Sequence, residues 1–364
     1  MDINTSQQFN TLLLYGETKS GKTREVGACA VHIYKRSGRK TRLYCTDGGG
    51  WGAIQDLVDA GIVEAVNVSS AEQTQIRMVQ CSRGYWPNSE GIWLPPEKQP
   101  DWKDVGCVAV EGLTSMAEAI MAECIREGRK IAEDVVGKFQ LTDADSGERF
   151  NFGNPAQAHY GWAQSQMRER LRDFQSLVAK GLERIVYTAL ESLAEDKKTK
   201  QVVLGPQIIG GAMTASIGQR VGDLIHMEIV EDPKTKKATY RAYFTPHMDP
   251  EFRRAWPASL RLSPEANAAL KNHAEFKEGW VEMTDEDGIL RRGVTRLFDW
   301  REELGKSAAA KLKALKDAVE AKKKGEAPVG EATVLTAEQL LEQKAKEEKF
   351  TRPVPSRIDL GFKK

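Results

Sequence analysis

The chain has 364 residues, with 53 Lys or Arg against 52 Asp or Glu, so its net charge is close to zero. That balance excludes a whole-chain electrostatic grip on nucleic acid and leaves only local basic patches. The apolar share supports a sizeable core, and no apolar run approaches the ~20 residues that a membrane-spanning helix needs.

The first part of the chain reads as alternating strand and helix. Thr11–Tyr15 is a short apolar strand ending in glycine, and a helix follows from Lys22 with Val26, Ala30, Ile33 and Tyr34 on one face. Ser37 and Gly38 close that helix. Thr41–Thr46 and Val63–Val68 are the next strand candidates. Gly106–Val110 is almost wholly apolar, as expected of a buried parallel strand, with a helix from Thr114 after it. An amphipathic helix over Trp162–Ala179 leads into strand Arg184–Thr188. This alternation predicts an α/β fold with a mostly parallel sheet flanked by helices.

Beyond it the pattern changes. Asp223–Val230 and Ala238–Thr245 flank Asp232-Pro233-Lys234-Thr235 and read as a C-terminal β-hairpin added to the sheet. Ser263-Pro264-Glu265 carries a cap, a first-turn proline and a first-turn acid, the signature of a helix start. Trp280–Val294 reads as a second hairpin. From Arg301 the composition shifts to Ala, Lys and Glu. Ser307–Lys324 is helical by propensity, and Thr336–Gln339 resembles a capping box. With few apolar residues, this charged helical tail is expected to be solvated and partly disordered. The expected division is a nucleotide-binding domain over residues 1–262, an accessory segment over 263–300 and the tail over 301–364.

Two long loops interrupt the core. Gly84–Trp102 is rich in Pro and Trp, and Lys138–Gly161 contains a turn signal at Asp143–Gly147 that predicts a small hairpin. In the first loop, Tyr85, Trp86, Trp93 and Trp102 either stack on single-stranded bases or anchor the loop to the core. The five cysteines, Cys29, Cys45, Cys81, Cys107 and Cys124, form no C-x-x-C pair and several lie in apolar runs, which reads as buried reduced thiols. The opening MDINTSQQFN carries no basic region followed by an apolar one, so a cytoplasmic location is expected. The histidines, His32, His159, His226, His247 and His273, show no metal-ligand spacing, and a zinc site is not expected.

The chemistry concentrates at Gly16-Glu17-Thr18-Lys19-Ser20-Gly21-Lys22-Thr23, which fits G-x-x-x-x-G-K-[ST] at every position, between an apolar strand and an amphipathic helix. Glycines let such a loop wrap with its N–H groups turned inward, and the helix N-terminus adds partial positive charge, so the loop suits phosphate. Lys22 is placed to reach β- and γ-phosphates, and the Thr23 hydroxyl to ligate Mg²⁺. ATP with Mg²⁺ is the expected ligand. Such a site needs an acid on a neighbouring strand end, and Cys107-Val108-Ala109-Val110-Glu111 supplies Glu111, either on the metal side or as a cap of the next helix. Asp47, at the end of the second strand before Gly48-Gly49-Gly50, is the candidate for positioning water, or a turn aspartate. Glu191 reads either as a γ-phosphate sensor or as a solvated loop residue.

With Leu14-Tyr15-Gly16, Gly21-Lys22-Thr23, Thr46-Asp47-Gly48-Gly49, Val108-Ala109-Val110-Glu111, Leu113-Thr114, Tyr160-Gly161, Tyr187-Thr188-Ala189-Leu190-Glu191 and Gly210-Gly211-Ala212-Met213 in order, the chain resembles the phage-type AAA ATPases with a RecA-like core. That group includes the phage RecA-like single-strand annealing proteins. The likeness spans residues 8–262, and only the P-loop within it is highly specific. It implies a RecA-like P-loop NTPase core in which Asp47 activates water and Glu111 is the Mg²⁺-side acid. It also implies hydrolysis coupled to single-stranded DNA in phage recombination or replication, in a host cytoplasm, with a homo-oligomer as a further expectation. The chain departs from the pattern at Glu111, usually aspartate, at Leu190, often polar, and at Gly211, frequently lysine. Arg253-Arg254 is either an arginine finger or a solvated basic pair. Two other functions remain open: a nucleotide-binding scaffold that switches shape with little turnover, and a DNA-packaging ATPase.

Overall fold

The structure is a computed structural model that describes residues 11–47, 50–68, 74–131, 140–142, 149–151, 157–195, 202–231, 234–236, 238–249, 254–285, 291–307 and 314. The chain divides into two compact units, Met1–Arg301 and Glu302–Lys364. In the second, residues 302–307 are helical and Lys306 pairs with Glu302 one turn away. The tail features expected beyond residue 314 lie outside the described residues.

The first unit begins with strand β1 (Thr11–Tyr15), the loop Gly16–Gly21 and helix α1 (Lys22–Ser37), then β2 (Lys40–Cys45), α2 (Gln55–Asp59), β3 (Val63–Asn67) and α3 (Thr74–Ser82). A two-stranded ribbon, β4 (Trp86–Pro87) and β5 (Trp93–Leu94), precedes β6 (Val105–Glu111) and α4 (Leu113–Ile131). The hairpin expected around residue 145 is present as β7 (Gln140–Thr142) paired with β8 (Arg149–Asn151). Next come α5 (Gln157–Ser176), β9 (Arg184–Ala189), β10 (Glu191–Glu195), β11 (Val202–Pro206), α6 (Gly210–Ser216), β12 (Asp223–Glu231) and β13 (Ala238–Tyr243). The unit closes with β14 (His247–Asp249), β15 (Arg254–Trp256), α7 (Pro264–Asn272), β16 (Trp280–Glu282), a ribbon of β17 (Thr284–Asp285) and β18 (Arg291–Arg292), and a helical stretch over residues 295–301.

Eight strands form one sheet in the order β16-β13-β12-β1-β9-β6-β2-β3. The six from β12 to β3 run parallel, and β13 and β16 join antiparallel. Side chains alternate between two cores along each central strand. Leu13, Tyr15, Tyr44, Val108, Val110 and Tyr187 face one core with α3, α4, α5 and α6. Leu12, Leu14, Leu43, Cys107, Ala109 and Val186 face the other, with Val26, Cys29, Ala30 and Ile33 of α1. A strand apolar on both faces has to be covered on both, which is why β6 reads as a continuous hydrophobic run and is buried at every position. The mostly parallel α/β sheet read from the sequence is therefore present. All five cysteines are buried and free.

Local signals read from the sequence hold where they have a mechanism. Gly38, at φ 71°, donates its N–H to the Tyr34 carbonyl at 2.8 Å and ends α1 in the left-handed conformation that glycine tolerates. Ser263 caps α7, its hydroxyl accepting from the Ala266 N–H. The second expected hairpin is divided: Trp280–Glu282 pairs with β13 on the main sheet, and only β17 and β18 form the ribbon. Residues 263–300 also pack into the α1 core, through Leu270, Phe276, Val281, Val294, Leu297 and Phe298.

The sequence reading did not contain the second sheet, β10-β11-β15-β14. Two of its strands have only three residues, too short for periodicity to register. In the loop 84–102, the aromatics anchor the chain. Trp102 is buried, while Trp86 and Trp93 are half-buried against Tyr44 at 5.3 and 6.4 Å between rings. The buried Arg42 guanidinium lies 4.9 Å from the Trp86 ring and is paired with Glu64, Gln99 and Asp101. Those rings serve packing and cation–π contacts with Arg42 and Arg77.

Candidate functional site

Because β12, β1, β9, β6 and β2 run parallel, their carboxyl ends all lie at the end of the sheet that carries the loop Gly16–Thr23. In open α/β sheets that end, outside the strand carboxyl termini, is where ligands bind. The register fixes which residues meet there: Tyr15 lies opposite His226 and Ala189, and Cys45 opposite Glu111.

The loop is tightly wound. Its backbone takes φ 155° at Gly16, 69° at Lys19 and 92° at Gly21. A Cβ on Gly16 would sit 2.1 Å from the Met227 carbonyl oxygen, so only glycine lets β12 approach this closely. Lys22 opens α1 and turns its ammonium back into the loop, donating to the Gly16 carbonyl at 2.9 Å, the Glu17 carbonyl at 2.6 Å and the Ser20 hydroxyl at 3.3 Å. Burial lowers the Lys22 pKa, while the nearby charges of Glu111, Glu191, Glu17 and Asp47 oppose that shift. The result is a largely buried cation at the end of a helix whose N-terminus is itself positive.

At the next residue, the Thr23 hydroxyl donates to Glu111 Oε1 at 2.8 Å. This contact joins two residues 88 positions apart. Glu111 is 5% exposed, and its other oxygen, Oε2, is buried without a hydrogen bond among the described residues. Burial and, secondarily, the Asp47 charge raise the Glu111 pKa to about 7, partly offset by Thr23, by the Thr188 hydroxyl beside it and by Lys22. A hydroxyl and a half-used carboxylate side by side are hard oxygen donors, the set that Mg²⁺ prefers, so these residues fit that ion. Glu111 does not cap α4. Its carbonyl instead accepts from Thr46 N at 3.0 Å and Thr46 Oγ1 at 2.9 Å, which locks β6 to the end of β2.

Asp47 stands in the same corner, exposed, with Oδ1 accepting from the Cys45 thiol at 2.9 Å. Gly50 separates it from Glu111: a Cβ there would lie 2.7 Å from Glu111 Cγ and 2.9 Å from Asp47 Oδ1. Gly48 and Gly49 lie outside the described residues. The structure thus brings together Lys22, Thr23, Asp47 and Glu111 from three strand ends. Arg254 is exposed at the start of β15, and Arg253 lies outside the described residues.

Glu191 is not a solvated loop residue. It opens β10, is about 10% exposed, and its Oε2 lies 3.1 Å from His226 Nε2. His226 Nδ1 in turn lies 3.2 Å from His247 Nε2. Burial and His226 lower the His247 pKa to about 4, which keeps that ring neutral. Spacing along the chain concealed this cluster, because its members come from three strands in two sheets.

No protein-family model matches this chain, and no curated protein sequence matches it. No helix among the described residues is long and apolar enough to cross a membrane.

Proposed function

We propose that this protein is a Mg-ATP-binding P-loop ATPase with a RecA-like core. The observation that carries the reading is the Thr23–Glu111 contact at 2.8 Å beside an ammonium, Lys22, wrapped in its own glycine-bounded loop. Three features support it: a phosphate-sized loop at a helix N-terminus, an oxygen pair suited to Mg²⁺, and a strand, β9, inserted between the loop strand and the acid strand. Mg²⁺ bound there supplies neutralisation of phosphate charge.

The roles of the chain's own groups follow from position. Loop N–H groups and the Lys22 ammonium bind phosphate oxygens, and on binding Lys22 exchanges its carbonyl partners for them. Thr23 and Glu111 hold the ion. Asp47, exposed at the end of β2, orients water. Coupling to single-stranded DNA in phage recombination or replication rests on the family resemblance alone. A second reading, a nucleotide switch with little turnover, is favoured by the departures at Glu111 and Leu190, with glutamate buried at 5% exposure where the resembled family usually has aspartate.

Phosphate release measured with and without single-stranded DNA, beside calorimetric ATP binding, tests the proposal. Release that DNA stimulates supports it. Intact Mg-ATP binding without release hands the site to the switch reading, and absence of ATP binding refutes both.

A further inference from the structure

Beside the P-loop strand, on the face away from α1, two imidazoles and a carboxylate converge where nothing in the ATPase reading requires them. His226 and Glu228 are two residues apart on β12 and so share a face. His247 opens β14 of the second sheet, 21 residues further on. The candidate ligand atoms of these three residues all lie within 4.8 Å of one another. We infer that His226 Nδ1, His247 Nε2 and the Glu228 carboxylate form a binding site for one divalent transition-metal ion of the zinc class, stapling the second sheet onto the main one.

The geometry of the nitrogens carries the inference. They stand 3.2 Å apart. Two imidazole nitrogens bound to one tetrahedral ion at 2.0–2.1 Å would be about 3.3 Å apart, so the separation already suits one shared ion, and the two lone pairs that face each other in the hydrogen bond turn to meet at it. The opposite nitrogen of His226, Nε2, lies 3.1 Å from Glu191 Oε2, an acceptor only. The proton therefore belongs on Nε2 and the lone pair on Nδ1, facing His247. A carboxylate on the far side of the ring is the outer-shell arrangement that orients metal-bound histidines. On metal binding the His247 proton shifts from Nε2 to Nδ1, the ring's hydrogen bond to the Thr245 backbone giving that nitrogen a neighbouring acceptor, and no proton is released.

The rings are already held. His247 stacks on Trp256 at 5.0 Å with planes 4° apart and on Tyr243 at 3.9 Å, and His226 packs on Tyr15 at 5.1 Å and Trp256 at 5.5 Å. Little side-chain entropy is left to lose on binding. Arg241 stands opposite Glu228 in the ladder with its guanidinium 4.1 Å over the Trp280 ring, and the Tyr243 hydroxyl hydrogen-bonds to Glu228, whose second oxygen is left for the ion. Two nitrogen donors with one carboxylate select Zn²⁺ or Co²⁺ over the oxygen-seeking Mg²⁺, so this site and the Thr23–Glu111 pair take different ions.

The test uses the full-length chain, stripped with a chelator, without nucleotide. Zn²⁺ is titrated by calorimetry, and Co²⁺ by its visible ligand-field absorption, which is intense only at four-coordinate sites. One equivalent is expected, with a rise in melting temperature that depends on free Zn²⁺. His247→Ala and, separately, Glu228→Gln should each weaken binding by about 10²-fold or more, beyond the 10–100-fold of an outer-shell loss expected for Glu191→Gln. Lys22→Ala should leave Zn²⁺ affinity unchanged, which separates this site from the nucleotide reading. His247 and Glu228 are both only partly buried, and circular dichroism checks that both variants fold. Absence of saturable Zn²⁺ binding in the wild type overturns the inference, as does wild-type affinity in both variants.

Discussion

Replacing Glu111 by Gln tests the site through the stability of the metal-free protein. The carboxyl is 5% exposed, and burial lifts its pKa from 4.5 to about 7. Its folded pKa lies above its unfolded one, so the unfolded chain gives up the proton first. Stability is therefore full below pH 4.5, falls as pH rises to 7, and is flat above. That rise in pKa corresponds to about 3 kcal/mol, of which roughly 2–3 kcal/mol is lost between pH 5 and pH 8. Glutamine keeps the acceptor for Thr23 but cannot ionise. Its amide, placed where Oε2 has no partner, costs about 1–3 kcal/mol at every pH. That constant cancels when the wild-type-minus-variant difference at pH 8 is compared with the same difference at pH 5. Denaturant unfolding with a chelator present, at four pH values, reads this double difference. The variant should gain about 2–3 kcal/mol on the wild type between pH 5 and pH 8. Parallel stability curves would show that Glu111 is not a strained, desolvated acid, and the reasoning on its readiness for a cation would fail with it.

Lys22→Ala should abolish tight Mg-ATP binding in calorimetry while the protein stays folded, because the ammonium's present partners are loop carbonyls that can turn to water. Asp47→Asn should slow single-turnover hydrolysis by about 10²-fold or more with ATP affinity close to wild type, as for a group that acts mainly in the transition state; unchanged hydrolysis would move attention to Glu111 or Glu191. Gly16→Ala forces a Cβ to 2.1 Å from the Met227 carbonyl and should cost more than the 1–3 kcal/mol typical of overpacking, whereas Gly38→Ala, with nothing within 4 Å, should cost only about 1 kcal/mol for its left-handed backbone. Thermal melts of the two variants check the contrast.

The strand-loop-helix from Thr11 to Ser37 was legible from the sequence because its signals are local. An apolar run, a glycine pattern and a 3.6-residue periodicity each act within a few residues, and Gly38 and Ser263 ended or began helices for reasons contained in their own backbone. The wholly apolar β6 announced a strand covered on both faces, and its terminal acid announced Glu111. What the chain could not state by itself was which distant residues its strand ends would bring together. The Thr23–Glu111 contact spans 88 positions and exists only because β9 spaces β1 from β6. Trp86 and Trp93 could be read as stacking surfaces or as loop anchors, and only the placement of Tyr44, Arg42 and Arg77 beside them shows the anchoring contacts. His226, Glu228 and His247 have no ligand spacing along the chain, since a cluster built from two sheets is set by strand register and sheet packing. Those depend on contacts summed over the whole fold, whereas a motif in sequence records only the chemistry that neighbours along the backbone can perform together.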